Sequence, residues 1–249
     1  MLIVIVDFDN YFRETNLDVQ KLEFALSNVI RQCEKTFSGF RQILIRLYGG
    51  WYQETSLTKQ ASQIQQLLSQ IHLFPKILGT MKLNGSIELV SQLYELPTFK
   101  WFYTYKEKHG LPRLRINHNI EDGICTHNKD ICPKYILNKF TSHKGKTCSI
   151  LGCKNSNKEI FKTLEQKMVD TMIACDIISV ANMEDIKGIF VLSDDQDHFP
   201  SYAIASEYLK KERKTQCKIS VGIRNAENSR KEFISKMLEF FNIEIISMV

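Results

Sequence analysis

The sequence predicts an α/β fold: a central parallel sheet flanked by helices. Three observations carry this. First, LIVIVDF at 2–8 is a short, continuous apolar run rich in β-branched residues, the pattern of a strand buried on both faces, and GIFVLSDD at 188–195 and CKISVGI at 217–223 also read as strands. Second, the segments between them repeat apolar residues at helical spacing. Third, the two patterns alternate along the chain, as βαβ crossovers require.

The elements follow in order. The strand at 2–8 leads to a helix over 18–37, where Leu22, Ala25, Leu26, Val29 and Ile30 share a face and Asp18 caps the start. RQILIRLYGGW at 41–51 is a second strand, and 56–74 a second helix that Pro75 ends. KILGTMKL at 76–83 reads as a third strand, and the aromatic run TFKWFYTYK at 98–106 as another. Residues 108–158 have no clean period and hold most of the Cys and His together with many basic residues, which marks an irregular insertion. Pattern returns with a long helix at 158–181, the strand at 188–195, a helix at 201–212, the strand at 217–223, a helix at 230–241 and a short strand at 243–248. There is no internal repeat and no low-complexity segment.

A chain of 249 residues with 43% hydrophobic residues can bury a core in one large domain, or in one domain with an inserted module. Its net charge of +5 mostly means a solvated surface, with a mild bias toward a polyanionic partner. The N-terminal apolar run has no basic flank and stops at Asp7, unlike a signal peptide. No stretch approaches the ~18 apolar residues of a membrane span. These features are those of a soluble, cytoplasmic protein with no membrane partner. Cys33, Cys175 and Cys217 lie in apolar segments, whereas Cys125, Cys132, Cys148 and Cys153 cluster near His127 and His143. In a reducing compartment such a cluster suggests a structural zinc before disulfides, although the spacing is not two C-x-x-C pairs.

The chemistry concentrates at strand ends. The first strand ends on Asp7 and Asp9, and VLSDDQD gives Asp194, Asp195 and Asp197. In open α/β sheets, ligands bind beyond the carboxyl ends of the strands. Clustered carboxylates repel one another unless a cation compensates, and Mg²⁺ or Mn²⁺ prefers oxygen ligands. Solvated loop acids or helix caps are the plainer alternative. In EQKMVDTMIACDII, Lys167 and Asp170 share a helical face at i and i+3, while Asp176 lies about 120° around from Asp170. Only one of the two acids can easily join a cluster with Lys167, and Asp170 is the better placed.

These segments resemble one family, the NYN branch of the PIN-like metal-dependent ribonucleases. IVDFDN resembles its DxxN opening, EQKMVDTMIACDI its K-x-VD-x-x-x-x-x-D helix, and VLSDDQDHFP its SGDSDFxP strand and loop. The three occur in family order and span Asp7 to Pro200. The resemblance implies a Rossmann-like PIN fold, with 1–249 as a single domain carrying the 108–158 insertion, and a ribonuclease site using Mg²⁺ or Mn²⁺. Asp7 matches the first metal acid, Asp170 the helix acid, and Asp195 and Asp197 the loop pair. Asn10, Ser193 and Lys167 match supporting residues, and Asp176 the later acid. Two positions depart from the pattern. Asp194 replaces the usual glycine and His198 the usual phenylalanine, which bears on metal choice and loop shape. Asp9 is an extra acid, read as supporting rather than as a ligand.

The bases beside aromatics in KWFYTYKEKHGLPRLR and NKFTSHKGK suit RNA, single-stranded or structured, although Trp101 and Phe102 fit a core equally well. A homo-oligomer or a regulatory partner is compatible with this reading. IVIVDFD also resembles the hhhhDxD strand of haloacid-dehalogenase-type phosphatases, in which both acids are essential. Tyr11 stands where that family has Thr or Val. A catalytically inactive RNA-binding module is the third reading.

Overall fold

The structure is a computed structural model and describes residues 1–12, 16–78, 81–109, 130–141, 147–148, 150–211, 217–224 and 235–248. It divides into two compact units, Met1–Tyr105 with Gln166–Val249, and Lys106–Glu165. The first begins with β1 (Leu2–Asp7), the short α1 (Phe8–Tyr11), α2 (Val19–Thr36) and β2 (Gln42–Tyr48). A small hairpin of β3 (Tyr52–Gln53) and β4 (Ser56–Leu57) precedes α3 (Lys59–Leu68), β5 (Lys76–Leu78) and β6 (Met81–Leu89). Lys106–Glu165 is bracketed by the paired strands β7 (Tyr105–His109) and β8 (Lys162–Gln166), and holds α4 (Pro133–Thr141) and α5 (Asn157–Ile160). The chain then adds α6 (Val169–Asn182), β9 (Gly188–Leu192), a 3₁₀ turn (Gln196–His198), α7 (Phe199–Lys211), β10 (Lys218–Arg224) and β11 (Glu244–Met248).

The main sheet runs β11-β10-β9-β1-β2-β6-β5. All pairings are parallel except β5 with β6. Taken from β6 to β11, this is the 3-2-1-4-5-6 order of Rossmann-like folds. The chain winds outward from β1 through β2 to β6, then returns to β9 on the other side. The switch point therefore lies beyond the carboxyl ends of β1 and β9.

β1 is apolar from Leu2 to Val6 because it faces two cores. Leu2, Val4 and Val6 pack with Leu22, Leu26 and Ile30 of α2 and with Ile64 of α3. Ile3 and Ile5 pack with Ile173 and Ile177 of α6 and with Tyr202 and Ala205 of α7. The five apolar side chains of β1 are fully buried, each worth about 1.5–3 kcal/mol of transfer free energy. That anchoring holds the end of the strand rigid. Asp18 caps α2 as expected, its carboxylate accepting the Lys21 N–H at 2.8 Å. Among the described residues, no helix is long and apolar enough to cross a membrane.

Several elements differ from expectation. KILGTMKL is not one strand but the antiparallel β5 and β6, and the strand paired with β2 extends to Leu89. Asn84, Gly85 and Ser86 disguise that extension, being poor strand formers. Gly85 is there because a Cβ would lie 2.6 Å from Ile43 and 2.7 Å from the Phe74 ring. The helix expected at 158–181 is broken. Lys162–Gln166 pairs with β7 as a strand, and Met168 enters the left-handed region at φ 64°, so helix begins only at Val169. The helix expected to run to Pro75 ends at Leu68, and the aromatic run becomes strand only at Tyr105. Trp101 packs on the core and Phe102 stands edge-on to Tyr52.

The insertion expected at 108–158 falls within Lys106–Glu165. Cys125, His127 and His143 lie outside the described residues. Cys132, Cys148 and Cys153 are partly buried, and among the described residues no cysteine joins a group of three metal-ligating side chains.

Candidate metal centre

β1 delivers Asp7, buried, to the switch point, where it also caps α1. The Asn10 backbone N–H donates to Asp7 Oδ1 at 3.4 Å, and the Ser193 hydroxyl donates to Oδ2 at 3.0 Å. Ser193 Oγ in turn accepts the Asn10 side-chain amide at 3.4 Å and the Asp195 N–H at 3.1 Å. One buried hydroxyl thus clasps the ends of β1 and β9 and orients two acids. Asp195 caps the 3₁₀ turn, accepting the Asp197 N–H at 3.0 Å.

Asp170 arrives from the first turn of α6. The positive φ of Met168, a conformation costly for a non-glycine residue, starts that helix abruptly beside the sheet edge. Single ligand atoms of Asp7, Asp170 and His198 lie within 4.8 Å of one another, so these three side chains can hold a cation. Burial holds the Asp170 carboxyl above its ordinary range; His198 opposes the shift, and the charges of Asp7, Asp195 and Asp197 add to it. His198 is fully buried, with Nε2 4.0 Å from Asp7 Oδ2. Neither ring nitrogen has a hydrogen-bond partner among the described residues. Beneath it, the Tyr202 hydroxyl is likewise buried without a partner, and burial pushes its pKa up, with Asp7 and Asp195 adding to the effect.

The other expected residues have different surroundings. Asp9 turns to Gln60, whose amide donates at 2.9 Å, and to the Gln166 amide. Burial raises its carboxyl while the Gln60 bond opposes that. It lines a groove of about 700 Å³ with Gln53, Lys59, Gln63 and Tyr105. Asp194 Oδ1 accepts the Arg224 N–H at 2.9 Å and so ties β9 to β10. Lys167 is exposed but lies before the helix, so the shared-face geometry expected for Lys167 and Asp170 does not exist. Its backbone N–H donates to Thr104 O at 3.0 Å. Asp176, the later acid, is fully buried and bonded to Arg46, Tyr48 and Tyr94, apart from the centre.

Sequence reading missed Gln60, Gln166 and Tyr202. Tyr202 was findable, because it follows His198 by one helical turn and so shares its face. The glutamines gave no signal, since neutral amides in polar segments read as solvated surface. Comparison of the chain with protein-family models, curated proteins and solved structures finds no match.

Proposed function

We propose that this chain is a divalent-metal-dependent ribonuclease of the PIN-like type, hydrolysing RNA phosphodiester bonds with Mg²⁺ or Mn²⁺. The observation that supports the reading is the convergence of Asp7, Asp170 and His198, from three separate segments, on the switch point of the sheet, where Asp195 and Asp197 add negative charge. The residues fit a cation. Asp7, Asp170 and His198 present ligand atoms within 4.8 Å of one another, and the buried His198 imidazole has no hydrogen-bond partner among the described residues.

Asp7 and Asp170, with Asp195 and Asp197 adding charge beside them, would hold a divalent ion, which would supply water activation and neutralisation of charge developing on a phosphoryl group. The chain's own residues do the positioning. Ser193 and Asn10 fix Asp7 before substrate arrives, so little reorganisation remains at the moment of reaction. Lys167, exposed just ahead of Asp170, supplies positive charge for phosphate. The groove beside Asp9 offers amides, Lys59 and the Tyr105 ring to a strand of RNA.

Asp9 separates this reading from the phosphatase. A phosphatase acid must be free to exchange a proton with substrate, but both Asp9 oxygens are occupied accepting from the Gln60 and Gln166 amides. Asp7→Asn and Asp9→Asn should therefore differ when assayed on labelled RNA and on an aryl phosphate. The expected result is abolished RNA cleavage in the first, milder loss in the second, and no phosphate-ester turnover in either. Equal loss in both, with an aspartyl-phosphate trapped on the wild-type chain, would assign the phosphatase instead.

A further inference from the structure

His198 sits under the acidic centre with nothing to bond. Its ring is fully buried, and both nitrogens lack a hydrogen-bond partner among the described residues. Buried polar atoms are nearly always satisfied, so an unpartnered ring with Nε2 facing a carboxylate requires an explanation. A simple hydrogen bond to Asp7 is not it. Nε2 lies 4.0 Å from Asp7 Oδ2, beyond the ~3.2 Å limit of such a bond. A shared ion does explain the gap. Two atoms each bonded to one ion at ~2.1 Å lie at most about 4.2 Å apart. The Asp170 carboxylate lies on the third side, all three ligand atoms being within 4.8 Å of one another, so a closing movement of at most about 0.6 Å completes the set. The backbone supports the aim of the ring, since the Ser201 hydroxyl donates to the His198 carbonyl at 2.7 Å and fixes the turn that carries it.

We infer that His198 is itself a ligand of the divalent ion, making the centre a mixed nitrogen–oxygen site that takes Mn²⁺ in preference to Mg²⁺. Mg²⁺ is held by oxygen and keeps its waters, and gains little from an imidazole. A first-row transition ion gains a bond from the same nitrogen. This deepens the metal centre of the proposed ribonuclease, but it can be tested without RNA.

The experiment is pulsed electron paramagnetic resonance of the purified full chain loaded with Mn²⁺, with direct titrations of Mn²⁺ and Mg²⁺. The wild type should show nitrogen hyperfine coupling from a directly bound imidazole, and the coupling should change isotope on [¹⁵N]histidine labelling. His198→Phe should lose it, and its Mn²⁺-over-Mg²⁺ affinity ratio should shrink at least about tenfold. If His198→Phe fails to give a folded protein by circular dichroism, His198→Gln keeps a polar side chain and must lose the coupling as well. Mn²⁺ bound by the wild type without nitrogen coupling overturns the inference, as does a folded variant that keeps both the coupling and the ratio. Coupling in a protein that cuts no RNA would sink the ribonuclease reading and leave this one standing. RNA cleavage without coupling would do the reverse.

Discussion

Asp170 and Asp176 lie on one helix, less than two turns apart, and meet opposite surroundings. Asp176 is fully buried and fully answered. Arg46 lies 3.1 Å from it, the Tyr48 hydroxyl donates at 2.5 Å and the Tyr94 N–H at 2.9 Å. Arg46 also meets Glu88 at 2.7 Å and donates to the Gln92 carbonyl at 2.6 Å. Burial, reinforced by Asp176, pushes the Tyr48 hydroxyl well above its ordinary pKa, so it stays a donor. Asp170 is surrounded instead by Asp7, Asp195 and Asp197. The contrast separates two uses of a carboxylate. One is spent on holding β2 to α6; the other faces solvent among like charges, with His198 as its opposing neighbour, in a group that could hold a cation.

Breaking each side should give different losses. Asp7→Asn should lower RNA cleavage by at least about 10³-fold, roughly 4 kcal/mol of transition-state stabilisation, with the melting temperature little changed. Arg46→Met should do the opposite. It strands the buried Asp176 charge and should cost about 3–5 kcal/mol in urea unfolding, while the double variant Arg46→Met/Asp176→Leu should recover much of that. If Arg46→Met left stability intact, Asp176 would not be the structural member of the pair.

Asp170→Asn should trade metal affinity for stability. The folded-state pKa of Asp170 is raised, so its contribution to stability is fully present below the ordinary carboxylate pKa and is lost as pH rises through the folded value. In metal-free protein the asparagine should therefore be the more stable form at neutral pH, and that segment of the pH profile should flatten. Added Mn²⁺ should raise the wild-type melting temperature with concentration and leave the variant nearly unmoved. Asp9→Asn should cost cleavage no more than about tenfold, ~1.4 kcal/mol. The smallest effect belongs to Met168→Gly, where relief of the left-handed strain should stabilise the fold by about 0.5–1 kcal/mol in the same unfolding assay.

The parts legible in the sequence were those fixed by local pattern. β1 and β9 are buried on both faces and so lack any polar alternation, and an acid at the end of such a run is placed by chain continuity alone. The preference for Asp170 over Asp176 came from an angular argument, although the helix starts later than that argument assumed. What was not legible depends on distant pairing. KEIFKTLEQ is rich in helix formers, yet Lys162–Gln166 is a strand because β7 lies beside it. Gln60 and Gln166 meet at Asp9 from segments far apart in the chain. His198 stood out as a substitution in a motif, but its burial and empty ring nitrogens belong to the fold.

The most direct test is incubation of the purified chain with labelled single-stranded RNA in Mg²⁺, in Mn²⁺ and in EDTA, beside Asp195→Ala. The account predicts cleavage that requires a divalent ion, stops in EDTA and disappears in the variant. RNA left intact under every condition, or cleavage that survives both EDTA and the loss of Asp195, would contradict it.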